Sequence, residues 1–263
     1  MPAAVDFLAA IRTESLRFHE CLSGVDPTAS VPTCPDWTAA DLVWHLAEVQ
    51  WFWAAIVRDR LSSPEGAKAS IPTRPSDHLE LLRLCAQASS NLGAELADLA
   101  ADTPMWTWSD DRTAGFILRR QAHEALIHRL DAEVVGGRST AIDAHLAADG
   151  VDEALRVMYA ESPEWGAFMP SDLVGTVTAT DVGRSWGISL GRFVGTSPES
   201  GTTYDEEALQ VSEPTDDGCF DVRGAAASLD TWLWNRPTLE QIDFGGDRAA
   251  LDEFRNLVKR GVQ

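Results

Sequence analysis

The stretch Arg119-Arg120-Gln121-Ala122-His123-Glu124-Ala125-Leu126-Ile127-His128-Arg129-Leu130-Asp131 constrains this chain more than any other. It holds neither Gly nor Pro and consists mostly of good helix formers, so it reads as helix. A step of four residues turns a helix about 40° past a full circle, which puts Glu124 and His128 on one face. Asp131, seven residues after Glu124, falls on that face too. A carboxylate and an imidazole aligned in this way are half of a metal site or an acid/base pair. One more imidazole from another helix would complete it.

His45 is the candidate. Thr38 and Asp41 give a capping-box-like helix start, with Asp in place of the usual Glu. Leu42, His45, Val49, Phe52 and Ile56 then form one stripe, so His45 is expected to face inward on a helix running to about Leu61. A preceding helix over 3–23 carries Leu8, Ile11, Phe18 and Leu22 on one face, ends at Gly24, and is followed by a Pro-rich connector from Asp26 to Pro35. Ser62 to Ser76 reads as a long connection without structure of its own, which lets the next helix run in the same direction as the last. That helix, at about 77–100, turns Leu81, Cys85, Ala88, Leu92, Leu96 and Leu99 inward. A loop holding Trp106 and Trp108 leads to the helix at about 113–135, closed by Gly136-Gly137. Four amphipathic helices in this span predict a four-helix bundle.

The texture changes after Gly137. A helix at about 142–160 precedes β-rich segments at Leu173–Thr180, Ser185–Val194, Ala208–Val211 and Cys219–Val222, read as antiparallel strands. A helix from Gly224 to about Trp234, a short strand at 241–244 and a helix at about 247–259 complete an α+β half. The domains are expected at 1–138 and 139–263. The acidic, turn-rich stretch Glu199–Asp217 reads as a solvated hairpin edge.

With 41 acidic against 21 basic residues, the formal net charge of −20 repels phosphate backbones and anionic lipid. Nucleic-acid and membrane partners are therefore not expected. No apolar run approaches the ~18 residues of a bilayer span, and the N-terminus lacks the pattern of a signal peptide, so the expectation is a cytoplasmic protein. Cys21, Cys34, Cys85 and Cys219 are widely spaced with no C-x-x-C pair, which excludes the usual thiolate zinc ribbons and redox motifs.

Two imidazoles and one carboxylate, His45, Glu124 and His128, suit zinc or another divalent metal and leave a fourth position for water or substrate. His123 and His128 are five apart, about 140° around the helix, so the stretch is not the zinc-protease H-E-x-x-H and His123 falls outside the site. Spacing alone leaves a second reading open: a hydrogen-bonded core histidine, and a surface pair of Glu124 with His128. Asp131 is a supporting residue or a substrate contact, or else an ordinary partner of Arg129 or Arg120. Trp37, Trp44, Trp51, Phe52 and Trp53 wall a pocket or fill the core. Arg236, at a helix end, reaches an anionic substrate or interacts with its own helix terminus.

The run Val31-Pro32-Thr33-Cys34-Pro35-Asp36-Trp37-Thr38 through His45-Leu46, together with Arg119 to Glu133, resembles the mycothiol-dependent maleylpyruvate isomerase family. Val222-Arg223-Gly224-Ala225 and Leu233-Trp234-Asn235-Arg236 resemble its second domain, with Asn235 where that family often has Gly. The resemblance implies a DinB-like four-helix bundle whose metal, usually zinc, is bound at positions matching His45, Glu124 and His128. It also implies a sterol-carrier-like α+β domain that supplies a basic residue to the pocket, here Arg236. The implied chemistry is activation of a low-molecular-weight thiol, mycothiol, as a thiolate that attacks a small electrophile. Isomerisation and S-transfer both use such a site. Two rivals remain: metal-assisted hydrolysis with Asp131 assisting as base, and a non-enzymatic module whose metal is closed off by a fourth ligand, His123 or Asp131.

Overall fold

A computed structural model of the chain describes residues 5–160, 162–215 and 217–261. It divides into two compact units, one from Asp6 to Ala141 and the other from Ile142 onward.

The first unit is built on α1 (Phe7–Leu22), α2 (Ala39–Asp59), α4 (His78–Leu96) and α5 (Ala114–Gly136). Asp6, Thr38, Asp77 and Thr113 cap the four N-termini through their side chains. At α2 the Thr38–Asp41 capping box is reciprocal. α5 stops where Gly137 turns left-handed at φ +62°. Each helix packs on two others, in the ring α1–α5–α2–α4. α4 runs alongside α2 in the same direction: Arg74, just before α4, meets Asp41 at the start of α2, and Ser89 midway along α4 bonds Gln50 midway along α2. Phe18, Leu22, Leu42, Leu46, Leu81 and Cys85 lie in the shared core. Among the described residues no helix is long and apolar enough to cross a membrane.

The connections hold more structure than their composition predicts. The Pro-rich stretch contains a two-stranded ribbon, β1 (Ser30–Val31) with β2 (Cys34–Thr38). The segment expected to be irregular contains a short helix, α3 (Pro64–Ser70), started by a proline whose missing N–H no helix start requires. Leu99, expected on the third long helix, lies beyond its end at Leu96.

In the second unit α6 (Ala144–Glu153) continues into π-helical turns at Ala154–Tyr159. A five-stranded sheet follows, ordered β5 (Thr203–Ser212), β4 (Arg184–Thr196), β3 (Gly166–Ala179), β6 (Phe220–Gly224) and β7 (Asp243–Gly246). The helices α7 (Ala226–Leu233) and α8 (Arg248–Arg260) complete the unit. β5–β4, β4–β3 and β6–β7 pair antiparallel as expected, and one pair is parallel, β3 with β6, where Val177 stands opposite Val222. The chain leaves β5 at one edge and crosses β4 and β3 before starting β6 in the same direction. Gly187 permits the crossing, because a Cβ there would come within 2.3 Å of the Glu213 carbonyl oxygen. β3 is longer than its hydrophobic run suggested and changes register between Pro170 and Val174, where a proline cannot donate to the ladder. The acidic stretch forms the edge strand β5, with Asp205, Glu206 and Glu207 exposed. Trp186 is buried in this unit's core and donates to Asp152 at 2.8 Å.

Candidate metal centre

α2 and α5 are neighbours, and they bring His45, Glu124 and His128 together. One potential ligand atom from each lies within 4.8 Å of the others. Both imidazoles converge on a single carboxylate oxygen: His45 Nε2 is 3.0 Å and His128 Nε2 3.2 Å from Glu124 Oε1. The other oxygen, Oε2, accepts from Arg120 at 2.8 Å, which fixes the plane of the carboxylate. His128 Nδ1 donates to Asp131 Oδ2 at 3.0 Å, since a carboxylate only accepts. That bond turns Nε2 toward Glu124, where it carries a proton or, once deprotonated, offers a lone pair to a cation.

The burial is graded. His45 is 30% exposed, Glu124 15%, His128 10% and Asp131 fully buried. His45 therefore sits at a rim rather than deep on an apolar stripe, because the buried row of α2 runs through Leu46, Trp53 and Val57. Trp37, from β2, packs against both imidazoles, with ring centroids 4.7 Å from His45 and 6.0 Å from His128. The Cys34 thiol donates weakly to Asp131 Oδ2 at 3.9 Å.

Charges explain the titration of the site. Burial pushes Glu124 up, but His128, His45 and Arg120 outweigh it and hold the carboxyl well below its usual range. Burial likewise pushes His128 down, but Glu124 and Asp131 outweigh it and raise it to about 9. A proton on His128, or a cation between the ligands, would place positive charge between the Glu124 and Asp131 carboxylates.

The remaining residues singled out by sequence fall elsewhere. His123 is buried outside the triad, its ring edge-on to Phe7 of α1 at 6.0 Å. Asp131 pairs with His128 rather than Arg129, which instead meets Glu14 at 2.7 Å and Glu133 at 2.8 Å. Phe52, Trp53 and Trp106 form an aromatic cluster, and Trp51 Nε1 donates to the Ser70 carbonyl. Arg236 lies in the second unit, where its Nη1 donates to the Trp234 carbonyl at 2.7 Å. Asn235 before it has φ +57° and donates to the Val258 carbonyl at 2.9 Å. Asn tolerates this left-handed turn without a glycine. Sequence alone offers Arg120 only as a partner of Asp131 and leaves Trp37 between pocket wall and core. The i, i+4 spacing of Arg120 and Glu124 was a signal for the first, whereas the approach of Trp37 depends on how the β-ribbon folds back.

A helical bundle carrying a His₂Glu cluster, joined to an α+β domain, defines the class of protein. Residues 8–133 match the mycothiol maleylpyruvate isomerase N-terminal domain and residues 145–253 the C-terminal domain of the same family. The chain belongs to the mycothiol-dependent maleylpyruvate isomerase family. Its fold is similar to the crystal structure of the mycothiol-dependent maleylpyruvate isomerase, with TM-score 0.59, 15% identity, and 92% of this chain and 93% of that one covered. A histidine-to-alanine mutant of that enzyme aligns with TM-score 0.58 at the same identity and coverage. No curated protein matches the chain.

Proposed function

We infer that this chain is a metal-dependent enzyme that uses a low-molecular-weight thiol, mycothiol in the first instance, on a small electrophile of the maleylpyruvate type. The observation that carries the reading is the convergence of His45 Nε2 and His128 Nε2 on Glu124 Oε1, in a ligand set of three. Two neutral imidazoles and a carboxylate match the donor set of catalytic zinc sites, which keep one position open. A divalent cation bound there raises the thiolate fraction of a coordinated thiol at neutral pH.

The chain's own residues prepare that site. Asp131 fixes the His128 tautomer and increases its basicity, and Arg120 turns Oε1 of Glu124 inward. Trp37 covers the imidazoles and restricts water on that side. Buried behind His128, Asp131 acts as a positioning residue and not as a base that touches substrate. A closed, non-catalytic metal site needs a fourth ligand, and among the described residues neither His123 nor Asp131 joins the set. Arg236 is proposed, from the family resemblance, to meet an anionic group of the electrophile.

Turnover of a maleylpyruvate-type electrophile is expected to require added thiol, and to fall to background when thiol is withheld from the zinc-loaded protein. Equal turnover with and without thiol would instead identify a metal-assisted hydrolase or a thiol-independent enzyme. Product analysis under the same conditions separates isomerisation from S-transfer.

A further inference from the structure

One buried polar group on α5, the helix that carries Glu124 and His128, has no role in the metal centre described above. Gln121 is 1% exposed, and neither its Oε1 nor its Nε2 meets a hydrogen-bond partner among the described residues. It lies three residues before Glu124 and seven before His128 on α5. At about 100° per residue it therefore sits about 60° from Glu124 and about 20° from His128 on the helix surface. The unmet amide shares the face of α5 that carries the ligands.

Burying an amide with both its donor and its acceptor unmet is costly. An apolar side chain of the same shape would avoid that cost, and the neighbouring positions Ile117 and Ala125 are apolar. The kind of partner follows from the two orphan atoms. A carboxylate would satisfy only Nε2 and leave Oε1 unmet, whereas a secondary amide presents an acceptor and a donor together. We propose that Gln121 recognises an amide group of the thiol that the metal centre takes, and so selects amide-bearing thiols over simple ones. This rests on the metal–thiol reading above.

The test uses the full zinc-loaded chain and two probes with a similar thiol, N-acetylcysteine, which carries an amide, and 3-mercaptopropionate, which does not. Calorimetric titration is expected to show the wild type binding N-acetylcysteine about tenfold more tightly. In Gln121→Leu that preference collapses to about onefold, while zinc stoichiometry is kept and the thiol-free melting temperature is equal or higher. Gln121→Met, a second near-isostere, is expected to behave the same way if Leu disturbs packing. An unchanged preference in either folded variant overturns the assignment. A fall of several degrees in the thiol-free melting temperature of both variants also overturns it, because the amide is then a structural group. Wild-type protein that holds zinc but binds both thiols equally overturns the role of Gln121 alone, whereas binding of neither thiol overturns the thiol reading as well.

Discussion

His128→Ala is expected to purify without bound divalent metal, and His45→Ala likewise, with activity lost in step. Each replacement removes one of three ligands, so affinity should drop by more than about hundredfold. That exceeds the roughly 10–100-fold expected for Asp131→Asn, which keeps an acceptor for His128 but removes the charge that makes it more basic. His128→Ala has a further signature that does not depend on metal. His128 is raised from its ordinary 6.5 to about 9 by Glu124 and Asp131, against the opposing effect of burial. A group whose pKa is raised by folding stabilises the fold fully below its unfolded pKa, and that contribution disappears as pH climbs through the folded one. Metal-stripped wild type should therefore lose thermal stability between about pH 6.5 and 9, and His128→Ala should be flat across that window. Full metal occupancy in both histidine variants, measured by elemental analysis, would end the assignment of the triad.

Arg129→Ala should destabilise the first unit by about 3–5 kcal/mol, a fall in melting temperature of roughly 10–20 °C. Arg129 is completely buried and binds Glu14 of α1, Glu133 of its own helix, and the backbone and hydroxyl of Thr140 beyond α5. Without it, Glu133, 5% exposed, loses its cation, and Glu14, 7% exposed, keeps only the more exposed Arg17 at 3.2 Å. The loss comes from stranding those charges more than from the missing attraction, so the combination Arg129→Leu, Glu14→Gln, Glu133→Gln should recover much of it. A melting temperature for Arg129→Ala within about 2 °C of wild type would contradict this account.

The two histidine–carboxylate helices were legible because their information is local. Thr38 with Asp41 announces the start of α2, Gly137 the end of α5, and the four-residue step from Glu124 to His128 their common face. What was not legible depends on pairing between distant segments. α5 is buried on nearly every side, and residues that composition assigns to a surface, Arg120, Arg129 and Glu133, are inside because each has found an ionic partner. The parallel β3–β6 pair follows from a crossing between distant segments, of which glycines such as Gly187 are the trace. His45 is at the rim because the deepest row of α2 is rotated from the stripe that periodicity suggested. Periodicity places a side chain on a face but does not rank neighbouring rows by depth.

Zinc-edge X-ray absorption on the zinc-loaded chain, before and after adding the thiol, reads directly whether thiol sulfur reaches the metal. The expected spectrum has a nitrogen and oxygen shell at about 2.0–2.1 Å from His45, Glu124 and His128, and one new sulfur at about 2.3 Å when thiol is present. A spectrum that gains no sulfur scatterer at saturating thiol would contradict the metal–thiol reading.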